Sequence, residues 1–369
     1  MSLQMGIVGL PNVGKSTLFN ALTAAGAPVA NYPFCTIDPN VGVVEVPDER
    51  LGRLAEMVHP KKIVPATMEF LDIAGLVRGA SKGEGLGNQF LGHIRGVNAI
   101  GMVVRCFSDT NVTHVEGGVD PRRDIDTITM ELCLADLASV EKRADRSRKS
   151  AKTGERKFLV EADALDALAA HLNDGRPART FSLGEELEPV VEELHLLTAK
   201  PVLYIANLDE QDLVALQEGN KPVSLKLVEE IAAAEGAGTV AVSAKIEADL
   251  AELEPDETAL YMQEMGLKEG GLPRMIRAGY ALLDLITFLT AGEPEVRAWT
   301  IRRGTRAPAA AGTIHSDIER GFIRAEVTAY EELISAGSFA VARERGVTRL
   351  EGKEYVMQDG DVVYFRFNV

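Results

Sequence analysis

At 369 residues, 46% hydrophobic and 25% charged, the chain has the composition of a soluble globular protein too long for one small core, so two or three domains are expected. No run of about 18 apolar residues exists, which excludes a membrane-spanning helix. The N-terminus enters an apolar strand without the basic-then-apolar order of a signal peptide, so a cytoplasmic location is expected. The net charge of −16 opposes nucleic acid globally, so any RNA contact has to come from a local basic patch.

Met5-Gly6-Ile7-Val8 predicts a buried strand. Gly9-Leu-Pro-Asn-Val-Gly14-Lys15-Ser16-Thr17 follows it and fits the phosphate-loop pattern G-x-x-x-x-G-K-[ST]. Gly9 and Gly14 let the backbone approach phosphate oxygens, and the N–H groups between them, through Asn12 and Val13, form an anion nest. Lys15 is placed for the β- and γ-phosphates, and Ser16 offers a hydroxyl to Mg²⁺. Thr17 to Leu22 predicts a helix whose N-terminus faces the phosphates. Asn12 could coordinate a monovalent cation such as K⁺, or only brace the loop.

Thr36, in the Pro-rich loop 31–39, stands where a first switch threonine would complete the Mg²⁺ shell when a γ-phosphate is present. Residues 67–71 predict a strand delivering Asp72-Ile-Ala-Gly75, the D-x-x-G element. Asp72 would hold Mg²⁺, and the Gly75 N–H would sense the γ-phosphate. Leu76 follows, where Ras-like GTPases carry a glutamine that orients the attacking water, so hydrolysis is expected to be slow. The Gly-rich run 79–87 reads as a second switch. His114, in a polar Gly-rich loop after the buried strand 99–106, is a candidate for the missing catalytic group, or an ordinary surface histidine. The three cysteines, Cys35, Cys106 and Cys133, have no pairing or metal spacing and read as reduced thiols.

Residues 126–198 are rich in Leu, Ala, Glu, Lys and Arg. Leu159, Ala162, Leu165, Ala169 and Leu172 mark one helical face, as do Ile125, Ile128 and Leu132 upstream. An antiparallel helical hairpin inserted into an α/β domain (1–125 and 199–283) is expected, turning near Lys152-Thr153-Gly154. Arms of 25 residues would reach roughly 35–40 Å. Residues 141–157 carry eight Lys or Arg against three acidic residues, a net +5, which suits either a phosphate-facing tip or a solvated surface.

The strand 201–206 leads to Asn207-Leu208-Asp209-Glu210, where GTPases carry N-K-x-D. Leu208 replaces the lysine and Glu210 the aspartate, which displaces the carboxylate and loses the bidentate guanine contact. The Asn207 amide could pair with the polar edge of adenine, and Leu208 could cover the base, so ATP is favoured over GTP. Strand 239–242 leads to Ser243-Ala244-Lys245, a second base loop in which backbone N–H groups and the lysine stem line the base. From about 284 to 369, short strands at 296–301, 322–327 and 362–367 form a compact mixed module.

Together these motifs, with Gly-Ala-Ser-Lys-Gly-Glu-Gly-Leu-Gly-Asn-Gln-Phe at 79–90 and Arg277-Ala-Gly-Tyr280, resemble the YchF/Obg-like ATPase family over essentially the whole chain. The resemblance implies a P-loop NTPase G-domain, an inserted antiparallel coiled coil and a C-terminal TGS domain of β-grasp (ubiquitin-like) fold. It also implies ATP preference, Mg²⁺ dependence, Leu76 in place of the catalytic glutamine, Leu208 as the base-contact leucine and His114 as the loop histidine. A monomer associated with ribosomes or RNA through the helical insert and the TGS domain is expected. The alternatives are a GTPase, or a scaffold in which nucleotide is mainly structural.

Overall fold

Short apolar runs, each ended by a polar or glycine-bearing loop, build the first sheet. The computed structural model describes residues 4–24, 40–73, 86–109, 118–152, 155–182, 184 and 187–368, with 86–89 as backbone only. It divides into two compact units, residues 1–42 with 69–279 and residues 43–68 with 280–369.

The first unit opens with β1 (Gln4–Val8), α1 (Lys15–Ala24) and β2 (Val41–Glu45), at whose third residue the chain passes into the second unit. There it forms α2 (Glu49–Val58) and β3 (Ile63–Val64). It returns with β4 (Thr67–Asp72), α3 (Leu86–Gly96), β5 (Ala99–Arg105), α4 (Pro121–Ala151), α5 (Arg156–Asn173), α6 (Glu188–Leu194), β6 (Val202–Asn207), α7 (Glu210–Gln217), α8 (Val223–Ala234), β7 (Gly238–Val242), α9 (Ala244–Glu252), α10 (Pro255–Glu264) and α11 (Gly271–Leu282). The sheet order is β2-β4-β1-β5-β6-β7, and β4, β1, β5, β6 and β7 pair in parallel. β5 and β6 are buried at every position, as central parallel strands covered on both faces must be. This is the P-loop α/β fold expected, and it puts the loops after β1, β4, β5, β6 and β7 at one edge.

The helical insertion differs from expectation in three ways. Asp120 caps α4 by accepting from Arg123 N at 3.1 Å, and Pro121 opens it, so the helix starts ahead of residue 126 and runs unbroken for 31 residues, about 46 Å. It packs on β5 and α8 as well as on α5. The core of the arm is closed by a third helix, α6, through Leu187, Val190 and Val191. Leu159, expected on the buried face, is exposed, and Leu168 takes its place beside Leu165 and Leu172. At the expected turn, Thr153 and Gly154 lie outside the described residues. Of the basic cluster, Arg143 pairs with Glu161 (2.7 Å) and Glu193 (3.3 Å), Arg148 with Asp145 and Asp166, and Lys157 with Glu155. Lys142, Arg146, Lys149, Lys152 and Arg156 remain exposed without an ion pair among the described residues.

Near the middle of α4 the buried Asp136 accepts from Leu197 N (2.8 Å), Thr198 N (2.7 Å) and Thr198 Oγ1 (2.6 Å). Burial pushes its pKa up, and these three donors oppose that. The carboxylate therefore fixes the arm to the segment that enters β6.

The second unit adds β8 (Leu285–Ala291), β9 (Val296–Arg302), α12 (Ala307–Ile314), α13 (Ser316–Arg320), β10 (Phe322–Ala329), α14 (Tyr330–Ala336), α15 (Phe339–Glu344), β11 (Arg349–Glu351) and β12 (Asp361–Phe367). Its sheet order is β11-β10-β12-β8-β9-β3. The first and last long strands, β8 and β12, lie parallel at the centre, flanked by antiparallel β9 and β10, which is the β-grasp arrangement. Phe288, Phe322 and Phe365 pack its core. This unit is larger than the predicted 284–369. It also takes residues 43–68, because β3 pairs with β9 (Ile63↔Val296) and Arg50 bonds Asp359 at 2.8 Å.

Replacing Asp136 with Ala strands two buried backbone N–H groups and should destabilise the first unit by about 2 kcal/mol, read as a lower urea midpoint. An unchanged midpoint would remove the clamp from the account.

Candidate functional site

The phosphate loop turns on two residues with left-handed backbone, Asn12 (φ 63°) and Gly14 (φ 89°). Asn tolerates this region; at Gly14 a Cβ would also collide with the Asn207 amide. Leu18 N donates to Gly14 O (3.0 Å), so α1 starts directly from the loop. Val13 is buried under it, while Ser16 and Thr17 are exposed. Lys15 is 8% exposed and its ammonium forms an ion pair with Asp72 at the end of β4. The two motifs predicted to share the phosphates and Mg²⁺ thus face one small space.

Asn207, at the end of β6, is 3% exposed. Its Nδ2 donates to Val13 O (2.8 Å), and its Oδ1 accepts from Ala244 N (2.9 Å). This corrects two expectations: the amide is turned to the phosphate loop rather than to the edge of a base, and the Ala244 N–H is spent on that amide rather than on the base. Both groups are buried, and backbone that cannot reach water takes the nearest side-chain partner.

Around this joint opens a cavity of about 670 Å³, lined by Gly14, Thr17, Asn207, Leu208, Glu210, Ser243, Ala244 and Lys245 among others, a size suited to a nucleoside. Leu208 is 2% exposed, and its N–H donates to Val242 O at 2.8 Å. Asp209 caps α7 by accepting from Asp212 N (2.8 Å). Glu210 pairs with Lys245 at 2.6 Å, and this partner raises the pKa of Lys245. Ser243 Oγ is buried without a hydrogen-bond partner among the described residues. Helix α9, which begins at Ala244, is anchored by the buried Glu247. Its carboxylate accepts from Gly271 N (2.5 Å) and Leu272 N (3.2 Å) at the start of α11.

Four predicted residues, Thr36, Gly75, Leu76 and His114, lie outside the described residues. Among those described, no cluster of three or more His, Cys, Asp or Glu could hold a metal. The Ser16 hydroxyl and the Asp72 carboxylate still fit Mg²⁺, a hard ion usually held by one or two protein oxygens, substrate phosphates and water. Cys106 and Cys133 are free and buried, which pushes both thiols up to about 12 and leaves them inert.

Sequence reasoning missed the far wall of the cavity, formed by Phe107, Ser108 and Asp109 after β5, and the buried Arg105 that precedes them. A charged residue closing an otherwise apolar strand was the available signal.

Comparison with known proteins agrees with this geometry. Residues 4–130 match the family described as 50S ribosome-binding GTPase, and residues 285–368 match the YchF-GTPase C-terminal family, described as a protein of unknown function. Over 369 residues and the full length of both chains, the protein is 58% identical to the ribosome-binding ATPase YchF of Bacillus subtilis and 53% identical to that of Escherichia coli O157:H7. The solved structure of the Schizosaccharomyces pombe YchF GTPase superimposes with a TM-score of 0.88 at 39% identity, covering 99% of this chain and 98% of that one.

Gly14→Ala places a side chain where both backbone and Asn207 forbid it and should cut nucleotide affinity at least tenfold, as measured by fluorescent-nucleotide titration. Unchanged affinity would mean that the loop does not hold the phosphates.

Proposed function

Since the chain belongs to the YchF family, we propose that it is a cytoplasmic, monomeric, ribosome-associated nucleotide switch that binds ATP in preference to GTP and hydrolyses it slowly with Mg²⁺. The ribosome as partner rests on the names of the curated relatives and on the exposed Lys142, Arg146 and Lys149 of the arm. The relatives divide over the nucleotide, since the curated ones are named ATPases and the solved one a GTPase.

What carries the choice of adenine is the placement of the two carboxylates beside the base cavity. Guanine recognition needs a carboxylate placed to accept from its N1–H and amino group. Here Asp209 caps a helix, and Glu210, one methylene longer than the aspartate of N-K-x-D, is turned to Lys245. Adenine offers an acceptor at N1 and needs no such carboxylate. Leu208 supplies apolar cover, and the Ser243 hydroxyl is a buried polar group in the wall without a partner among the described residues.

At the other end, Lys15 would exchange Asp72 for the phosphate oxygens. That exchange would free Asp72 to join Ser16, and Thr36 from the first switch, in holding Mg²⁺. Bound Mg²⁺ supplies neutralisation of the β- and γ-phosphate charge. The Gly75 N–H would report the γ-phosphate, and Asn12 would either help hold a K⁺ ion beside it or only brace the loop. With Leu76 unable to orient water, His114 is the residue proposed to do so, slowly. A Lys15→Ala variant should keep the fold and lose nucleotide-dependent cosedimentation with ribosomes.

Competition titration should show ATP displacing a fluorescent nucleotide at lower concentration than GTP, and Leu208→Lys with Glu210→Asp should reverse the order. Tighter GTP binding by the unaltered chain would favour a GTPase. Ribosome binding that ignores Lys15→Ala would favour a scaffold.

A further inference from the structure

Arg105 is among the largest fully buried side chains of the protein, 2% exposed, and it ends β5 in register with Asn207 at the end of β6. Burying a guanidinium is costly unless its donors are used. Here Nη1 donates to Asn12 O (3.3 Å), Nε to Phe107 O (3.3 Å) and Nη2 to Asp109 O (3.4 Å), with the guanidinium 4.5 Å from the centre of the Phe107 ring. Asn12 belongs to the phosphate loop; Phe107 and Asp109 belong to the cavity wall. One buried cation therefore ties the two ends of the nucleotide site together.

The peptide chemistry gives that tie a direction. The Asn12 carbonyl shares its peptide unit with the Val13 N–H, and the Val13 carbonyl shares its unit with the Gly14 N–H. Arg105 donates to the first carbonyl and Asn207 to the second. A donor on the outer carbonyl polarises the peptide and strengthens the N–H on the other side. It also fixes the peptide plane, so that N–H keeps its aim into the loop. Arg is always protonated, so its contact adds charge that an amide cannot.

We propose that Arg105 is a positioning residue for the phosphate-binding loop, orienting and polarising the Asn12–Val13 peptide while holding the 107–109 wall of the cavity. This rests on the loop binding a nucleotide, as argued above. Arg105 does not touch the ligand and acts through the backbone.

The test uses the full chain with Arg105→Met, which keeps volume without donors, and Arg105→Lys, which keeps charge but cannot reach three carbonyls. ATP, ADP and inorganic pyrophosphate are titrated well below the melting temperature, and KM and kcat for hydrolysis are measured. The expected result for Arg105→Met is at least tenfold weaker binding of all three ligands, a raised KM and a smaller change in kcat. Arg105→Lys should fall between Arg105→Met and the unaltered chain. A merely structural residue would lower the melting temperature and leave these affinities unmoved, and that result overturns the proposal, as does unchanged pyrophosphate affinity alone. If Arg105→Met does not fold, Arg105→Lys decides on the same readouts. If neither folds, the side-chain Nε–H signal of Arg105 in the unaltered protein decides, since it must shift when pyrophosphate is added. An unaltered chain that binds no nucleotide overturns the functional reading and this proposal with it; tight binding that survives Arg105→Met overturns the proposal alone.

Discussion

The Asn207 amide is the joint on which the nucleotide site depends. It spans the phosphate loop, the end of β6 and the start of α9, segments far apart in the chain, with one donated and one accepted bond. All three partners are buried, so breaking the joint leaves two backbone groups without water or protein. The missing Cβ of Gly14 gives the amide its room, and Glu247, in the first turn of α9, holds that helix to the start of α11. Loop, strand and helix are therefore held to one another by protein contacts alone.

The site holds two ion pairs, Lys15 with Asp72 beside the phosphate loop and Glu210 with Lys245 beside the cavity. The first is largely buried and the second exposed, so they differ in worth; an exposed pair contributes little once solvent screens it. On the reading proposed above, a triphosphate would exchange the buried pair for new ones, and part of its gross attraction would be offset in this way.

Much of this was legible in the sequence because the relevant signals are local. The phosphate loop, the strands ending at Asp72 and Asn207, and the Ser243-Ala244-Lys245 turn follow from residue type and spacing. What was not legible is direction and distance. Spacing brings Asn207 to the site but does not say which way a buried amide faces; the unpaired backbone around it decides that. The transfer of residues 43–68 to the C-terminal unit depends on Ile63 pairing with Val296, a contact no local pattern announces. Leu159 fits the helical period as well as Leu165 does, yet α6 covers one and not the other, because periodicity defines a stripe and not where the cover ends. Arg105 escaped notice because an arginine at the end of an apolar strand does not announce that its guanidinium is buried and reaches the phosphate loop.

The arm has a mechanical consequence. Asp136 grips α4 fifteen residues from Pro121 and fifteen from Ala151, so about 22 Å of rod extends on either side of a fulcrum. The basic tip therefore stands a lever arm of that length from the Asp136 clamp. A sideways load on the tip acts as a torque, and the clamp and the contacts of α4 with β5 and α8 carry it together.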